Sequence, residues 1–304
     1  MLKNEIFYVM SGPAHLPYLV VSLYTLANHN TLPVSIFAWP ESFEIAQRIA
    51  KEWDWPFPIN VILEEPTYRG KNAQFLNKIQ IAQRFPGDGL YLYLDADTSI
   101  HGRFDPLFVW ANDWGFCATR FSNWTTDGEL IQNRVGKLRD CDVDQNLVEA
   151  ILVSKFVSVN GGVWATRPDS EVLPLWEKWT WNARNIFIAD ECVLHILMAK
   201  FVPQKKMGVW LDGRFNCSVR RNWMPDLPED KVIVWHYHGD SNVRPEKAPE
   251  GHHHWMELFQ ECCVNNVGGV TDWWRSVNNK RLAKVIRERD SDVHSTIQEL
   301  PEIC

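Results

Sequence analysis

Across the first hundred residues, short apolar runs alternate with amphipathic stretches, and this alternation limits the fold more than any other feature of the chain. Strands are expected at residues 5–10, 33–39, 59–63 and 90–94, and helices at 16–28, 42–53 and 73–85. The helical spacing is plain in the first of these, where Leu16, Leu19, Val20, Leu23, Leu26 and Ala27 fall on one face. Pro86-Gly87-Asp88-Gly89 stops the third helix. Repeated βα units with right-handed crossovers build a mostly parallel sheet covered by helices. The expected class is therefore α/β, with one large domain over residues 1–264 and a helical extension over 265–304. Ligands of such sheets bind beyond the carboxyl ends of the strands.

The fourth strand, Leu90-Tyr91-Leu92-Tyr93-Leu94, runs directly into Asp95-Ala96-Asp97-Thr98. Where the strand gives way to a loop, the two carboxylates can converge on one divalent cation. Hard anionic oxygens suit Mg²⁺ or Mn²⁺, which keep several waters and take substrate phosphates. The expected cofactor is therefore Mn²⁺ or Mg²⁺, and the expected substrate is phosphorylated. The plain alternative is a solvated pair of strand-end aspartates, or a helix cap. Gly161 and Gly162 permit close backbone approach to a ligand. With Asn160 they also read as an ordinary hairpin turn between two strands in residues 157–166.

Beyond these motifs the second half is less regular. A strand is expected at 115–119, a long polar loop at 120–142, helices at 144–155, 171–181 and 189–200, and a strand at 231–236. Asp190 opens a helix, so it reads either as an N-cap or as a carboxylate turned to a ligand. The net charge of −7 gives no general attraction to nucleic acid or anionic membrane. The apolar run at residues 6–10 is too short for a secretion signal, and no run reaches membrane-spanning length, so a cytoplasmic chain without a transmembrane segment is expected. The 16 Trp residues can fill a core or stack on sugar faces. His252-His253-His254 and Cys262-Cys263 lack the ligand spacing of a structural zinc site.

Taken in order, these pieces resemble the GT-A nucleotide-sugar glycosyltransferases, and among them the glycogenin-like and bacterial galactosyltransferase-like retaining group. The opening strand–turn–helix ends in Ser22-Leu23-Tyr24-Thr25-Leu26-Ala27-Asn28-His29-Asn30, similar to that group's first unit. Lys78 stands one helix before the metal strand, where the family has a basic residue near the nucleotide. Leu92-Tyr93-Leu94-Asp95-Ala96-Asp97-Thr98 is similar to its metal motif, and Val159-Asn160-Gly161-Gly162-Val163 to the turn that lines the donor sugar. Asp190-Glu191 resembles an Asp-Gln pair, with Glu in place of Gln. His236-Tyr237-His238-Gly239 resembles the third metal ligand and diphosphate loop.

The resemblance implies a Rossmann-like GT-A domain with a smaller acceptor-side subregion. It implies Asp95, Asp97 and His236 as metal ligands, and Ser11, Lys78, Asp95, Ala96, Asn160, Gly161, Gly162, Gly239 and Arg244 around the donor. Arg244-Pro245 arrives five residues after Gly239, without the family's following Trp, so Arg244 and Lys247 both remain candidates for the phosphate contact. Ser11-Gly12-Pro13 stands where the family carries a nucleotide-contacting Asp. Asp190 and Glu191 are the implied catalytic pair, facing a sugar that develops oxocarbenium-like charge. The implied reaction moves a sugar with retention from a nucleoside-diphosphate sugar, by analogy a UDP-sugar, to an acceptor hydroxyl. The acceptor stays open among saccharide, lipid-linked sugar, protein and modified nucleic acid. Residues 120–145, with Arg120, Phe121, Trp124, Arg134, Lys137 and Arg139, are the expected acceptor loop. Two alternatives stand beside this reading. One is a haloacid-dehalogenase-like phosphatase using Asp95-Ala96-Asp97-Thr98, and the other is a sugar-nucleotide-binding relative without activity.

Overall fold

The computed structural model describes residues 3–70, 72, 75–121, 127–154, 156–219, 227–238 and 249–271. The first half follows the alternation. Strand β1 (Lys3–Met10) leads to α1 (Leu16–Ala27), β2 (Val34–Ala38) to α2 (Pro40–Lys51), and β3 (Ile59–Leu63) to α3 (Leu76–Ala82) and β4 (Gly89–Leu94). Helix α2 begins on Pro40, whose missing N–H costs nothing in a first turn, and Arg48 and Lys51 sit in its last turn, where the helix dipole favours cations.

After β4 come β5 (Thr98–Ile100), α4 (Asp105–Trp114), β6 (Phe116–Arg120), α5 (Asp127–Val135), α6 (Gln145–Val153) and β7 (Val159–Thr166). Then follow α7 (Val172–Asn182), α8 (Ala189–Phe201), β8 (Gly208–Trp210), β9 (Cys217–Ser218), β10 (Val234–His236) and α9 (Pro249–Val264). The seven-stranded sheet has the order β3-β2-β1-β4-β7-β6-β8. Of its strands β7 alone runs antiparallel, paired to β4 on one side and β6 on the other. A second sheet, β5-β10-β9, stands beside it, with β10 antiparallel to β5.

Strand alternation splits the core in two. Ile6, Tyr8, Met10, Leu90, Leu92 and Leu94 join α1, α2, α4 and α9 on one side of the sheet. Phe7, Tyr91, Tyr93 and Trp164 join α3, α6, α7 and α8 on the other. Trp164 is fully buried and meets Phe7, Tyr93, Phe116 and Trp176 at ring separations of 5.2–5.7 Å. Trp176 and Trp255 are buried as well, so these tryptophans serve packing.

Three expectations change. Residues 127–135 form α5, followed by a 3-10 helix at Gly136–Asp140, so much of the expected loop is helical. Leu130, Ile131 and Val135 supply its buried face, a short apolar stripe that the surrounding polar residues mask in the sequence. Asn160-Gly161-Gly162 is not a hairpin turn. It lies inside β7, opposite a register shift between Ala118 and Thr119 of β6. Residues 229–231 form a 3-10 turn ahead of the short β10. Strand β5 and helix α4 had no counterpart in the sequence reading. Of the extension expected from residue 265, residues 272–304 lie outside the described residues, and Val267 and Val270 pack in the core. Among the described residues no helix is long and apolar enough to cross a membrane.

Candidate active site

The site lies at the carboxyl end of β4, where that central strand leaves the sheet. The N–H of Asp95 donates to Gly162 O at 2.8 Å, and the N–H of Tyr237 to Asp97 O at 2.9 Å. These two bonds tie the aspartate loop to β7 on one side and to the end of β10 on the other. Beneath the loop, Thr98 Oγ1 donates to Asp95 O at 2.8 Å and lies 3.0 Å from Ser22 Oγ on α1. Tyr93 OH donates to Asp95 Oδ1 at 2.5 Å.

Asp95, Asp97 and His236 therefore meet although His236 lies 139 positions after Asp97 in sequence. One ligand atom from each lies within 4.8 Å of the others. His236 Nε2 is 3.3 Å from Asp97 Oδ1 and 3.7 Å from Asp95 Oδ2. Two carboxylate oxygens and one imidazole nitrogen are a donor set that could hold a divalent cation. The backbone of β7 makes room for the cluster. A Cβ on Gly162 would fall on His236, Asp95 and Asn160, so only glycine leaves the ligands free to converge. Burial raises the Asp95 carboxyl, with Lys78 acting against it. Burial also acts to raise Asp97, yet the His236 imidazole holds that carboxyl well below its ordinary range. Burial acts to lower His236, but Asp97 and Asp95 hold the imidazole above its ordinary value.

A second group stands one residue along β7. Lys78 Nζ, from α3, donates to Gly161 O at 2.7 Å and lies 3.0 Å from Asp190 Oδ2 and 4.0 Å from Asp95 Oδ1. Burial opposes its charge, but Asp190 and Asp95 hold the ammonium protonated. Asp190 is buried in the first turn of α8; Ile188, left-handed at φ 56°, precedes the helix, so Asp190 is not its N-cap. Its other oxygen, Oδ1, is buried and has no hydrogen-bond partner among the described residues. A buried carboxylate oxygen without a donor is costly unless a ligand supplies one. Glu191 Oε1 accepts from the Asn160 amide, and Oε2 forms an ion pair with Arg134 Nη1 at 2.5 Å. Burial raises its carboxyl, with Arg134 acting against that.

The structure thus brings together Lys78, Asp95, Asp97, Asn160, Gly161, Gly162, Asp190, Glu191 and His236. Ser11 follows the carboxyl end of β1, half-buried, and Ala96 packs half-buried against the core. Gly239, Arg244 and Lys247 lie outside the described residues, as does Trp124. Sequence reasoning missed Asn216, fully buried behind His236, and Tyr93 as the partner of Asp95. It placed Arg134 in an acceptor loop, whereas α5 turns it inward, over the Phe121 ring at 5.3 Å. Tyr93 could have been read as one strand-face neighbour of Asp95; Asn216 stands in Asn216-Cys217-Ser218, which reads as a glycosylation sequon and carries no local signal of a place behind a metal ligand. His238, beside the ligand in sequence, stacks on His236 at 4.1 Å and bonds Ser218 Oγ at 3.1 Å.

No family model and no curated protein matches this sequence. Solved structures do match the fold. A complex of the galactosyltransferase LgtC with donor and acceptor sugar analogues superposes with a TM-score of 0.53 at 15% identity, over 84% of this chain and 95% of that one. Mouse xyloside xylosyltransferase 1 gives 0.50 at 12% identity, over 78% of this chain and 97% of that one. The glycosyltransferase GlyE of Streptococcus pneumoniae TIGR4 gives 0.51 at 15% identity, over 88% of this chain and 64% of that one. At such identities the likeness is one of fold. The chain has the fold of these transferases, the α/β GT-A arrangement with its largely parallel sheet.

Proposed function

We propose that this chain is a metal-dependent glycosyltransferase that moves a sugar from a nucleoside-diphosphate sugar to an acceptor hydroxyl with retention. The observation that carries the reading is the meeting of Asp95, Asp97 and His236 at the carboxyl end of the central strand, on a fold shared with transferases. A cation held there would neutralise charge on the departing diphosphate. Asp190 Oδ1, buried and unpartnered, would accept a hydrogen bond from a hydroxyl of the donor sugar. Asp95 and Asp190 face Lys78, Glu191 faces Arg134 and Asp97 faces His236, so four carboxylates stand against two fixed cations. That excess of negative charge favours a divalent cation and an oxocarbenium-like sugar over a bare anion.

Retention follows from the resemblance to the retaining group. Front-face attack, with the leaving phosphate assisting, is the favoured course, and Asp190 or Glu191 is the nucleophile in the alternative. UDP is the first nucleotide to try, with Mn²⁺ before Mg²⁺ because His236 is among the ligands. LgtC was solved with an acceptor sugar analogue, and a saccharide is accordingly the first acceptor class to try.

A thermal-shift panel of UDP, GDP, CDP, ADP and dTDP, each with and without Mn²⁺, tests the reading. A ligand that binds only the native state raises the melting temperature. One nucleotide should stabilise the chain only with Mn²⁺, and Asp97→Ala should abolish the shift. No shift with any nucleotide would overturn the proposal.

A further inference from the structure

Behind the acidic cluster the buried side chains form one continuous line of hydrogen bonds, and backbone groups fix its direction. The N–H of Gly162 donates to Asn160 Oδ1 at 2.7 Å. That amide is thereby oriented, and its Nδ2 is the atom that meets Glu191 Oε1. The Thr119 hydroxyl donates to Val163 O at 2.7 Å, which leaves its oxygen to accept. It accepts from Asn216 Nδ2 at 3.1 Å, and the same Nδ2 lies 3.3 Å from Asn160 Oδ1. Asn216 Oδ1 is therefore the atom facing His236 Nδ1, at 3.0 Å. Asn216 is 0% exposed and His236 2%, so water does not substitute for this bond.

An amide oxygen can only accept, so His236 Nδ1 carries the proton. In a neutral imidazole the other nitrogen is then bare. That nitrogen, Nε2, is the one turned to Asp97 and Asp95. The line reads His236 to Asn216 to Asn160 to Glu191, each donating to the next. It ends on a carboxylate anchored by Arg134 at 2.5 Å.

We propose that Asn216 is a positioning residue for the metal site: it sets the tautomer and ring orientation of His236 so that Nε2 is presented as a ligand. The proposal rests on the cation-binding reading of Asp95, Asp97 and His236, and is independent of donor and acceptor. Metal-bound histidines generally donate their second N–H, and losing that partner typically weakens metal affinity by about 10–100-fold. No neighbour of Asn216 in sequence marks it for this role. Its role comes from the short strand β9, which begins one residue later and pairs in parallel with β10, His236 lying opposite Ser218.

The test is Mn²⁺ titrated into the full chain without nucleotide, with free Mn²⁺ read by electron paramagnetic resonance. Asn216→Ala should bind Mn²⁺ about 10–100-fold more weakly. Asn216→Asp keeps an acceptor oxygen for His236 Nδ1–H while losing the donor to Thr119 Oγ1 and Asn160 Oδ1, and it should bind Mn²⁺ more tightly than Asn216→Ala if the bond to His236 is the one that matters. A merely structural Asn216 would weaken both variants alike, in step with their melting temperatures, and that result would overturn the proposal. Native affinity in Asn216→Ala would do the same. Should Asn216→Ala not fold, Thr119→Val removes only the hydroxyl that orients the amide. It should weaken Mn²⁺ binding measurably, and unchanged affinity there again overturns the role. No Mn²⁺ binding by the native chain would instead overturn the cation site itself.

Discussion

Lys78 and Asp190 form a buried ion pair, Nζ to Oδ2 at 3.0 Å, with 6% and 2% of their side chains exposed. Lys78 was expected near the nucleotide. Its ammonium is held by Asp190 and by Gly161 O. Removing one partner of a buried pair leaves a bare charge and typically costs about 3–5 kcal/mol. Lys78→Met should accordingly destabilise the chain by about that amount in urea unfolding. Asp190→Asn in the same background should recover most of the stability and none of the turnover. A Lys78→Met chain of native stability would show that the pair is not formed in solution.

The two glycines of β7 should fail differently. A Cβ on Gly162 falls on His236 and Asp95, whereas one on Gly161 meets Asp190 Oδ2 at 2.9 Å and Lys78 Nζ at 3.1 Å. Gly162→Ala should lose Mn²⁺ binding while still melting cooperatively. Gly161→Ala should keep Mn²⁺ binding and lose turnover. Isothermal titration with Mn²⁺ on both variants decides this, and equal loss in both would contradict the division of labour.

The parallel half of the fold was legible because each strand and helix there carries its own period. Leu16, Leu19, Leu23 and Leu26 mark α1 without help from the rest of the chain. Asp95 and Asp97 were legible for the same reason: they directly follow a strand that reads as one. Gly161 and Gly162 were half legible. They were expected to let the backbone approach a ligand, but Asn-Gly-Gly also has strong turn chemistry, and pairing with β4 and β6 overrides it. Asn216 and the inward turn of Arg134 were not legible. Each acts through a partner far away in sequence, His236 for the first and Glu191 for the second. Such pairings come from topology and leave no local pattern.

Stability should fall in mild acid through His195, which sits on α8 just behind the site. Burial, with Arg134 nearby, brings its imidazole down to about 3. Its Nδ1 donates to Glu191 O at 2.6 Å and its Nε2 accepts from the Val159 N–H at 3.3 Å, so the neutral ring is the one the fold holds. In the unfolded chain the same group titrates near 6.5. Between those values the unfolded state binds the extra proton. The contribution is whole above about pH 6.5 and is lost as the pH falls toward 3, by up to about 1.4 kcal/mol per pH unit. Urea unfolding at pH 7 and pH 4.5 should show the loss, and His195→Gln should reduce it. An identical pH slope in the variant would assign the loss to other groups.

Arg134 and Glu191 offer the sharpest energetic test, because their charges were made for each other inside the fold. Arg134 Nη1 lies 2.5 Å from Glu191 Oε2, with 11% and 13% of the side chains exposed. Glu191 stands where the resemblance expects a neutral Gln, so its charge needs a partner that a Gln does not. Arg134→Met alone should cost about 3–5 kcal/mol, since it strands a buried carboxylate. Adding Glu191→Gln should return most of that, because the amide needs no counter-ion. A double-mutant cycle by urea unfolding measures the coupling, and pairs in contact typically show about 0.5–3 kcal/mol of it. Additive single effects would mean that Arg134 serves packing on Phe121 and Val159 O, not charge compensation at Glu191.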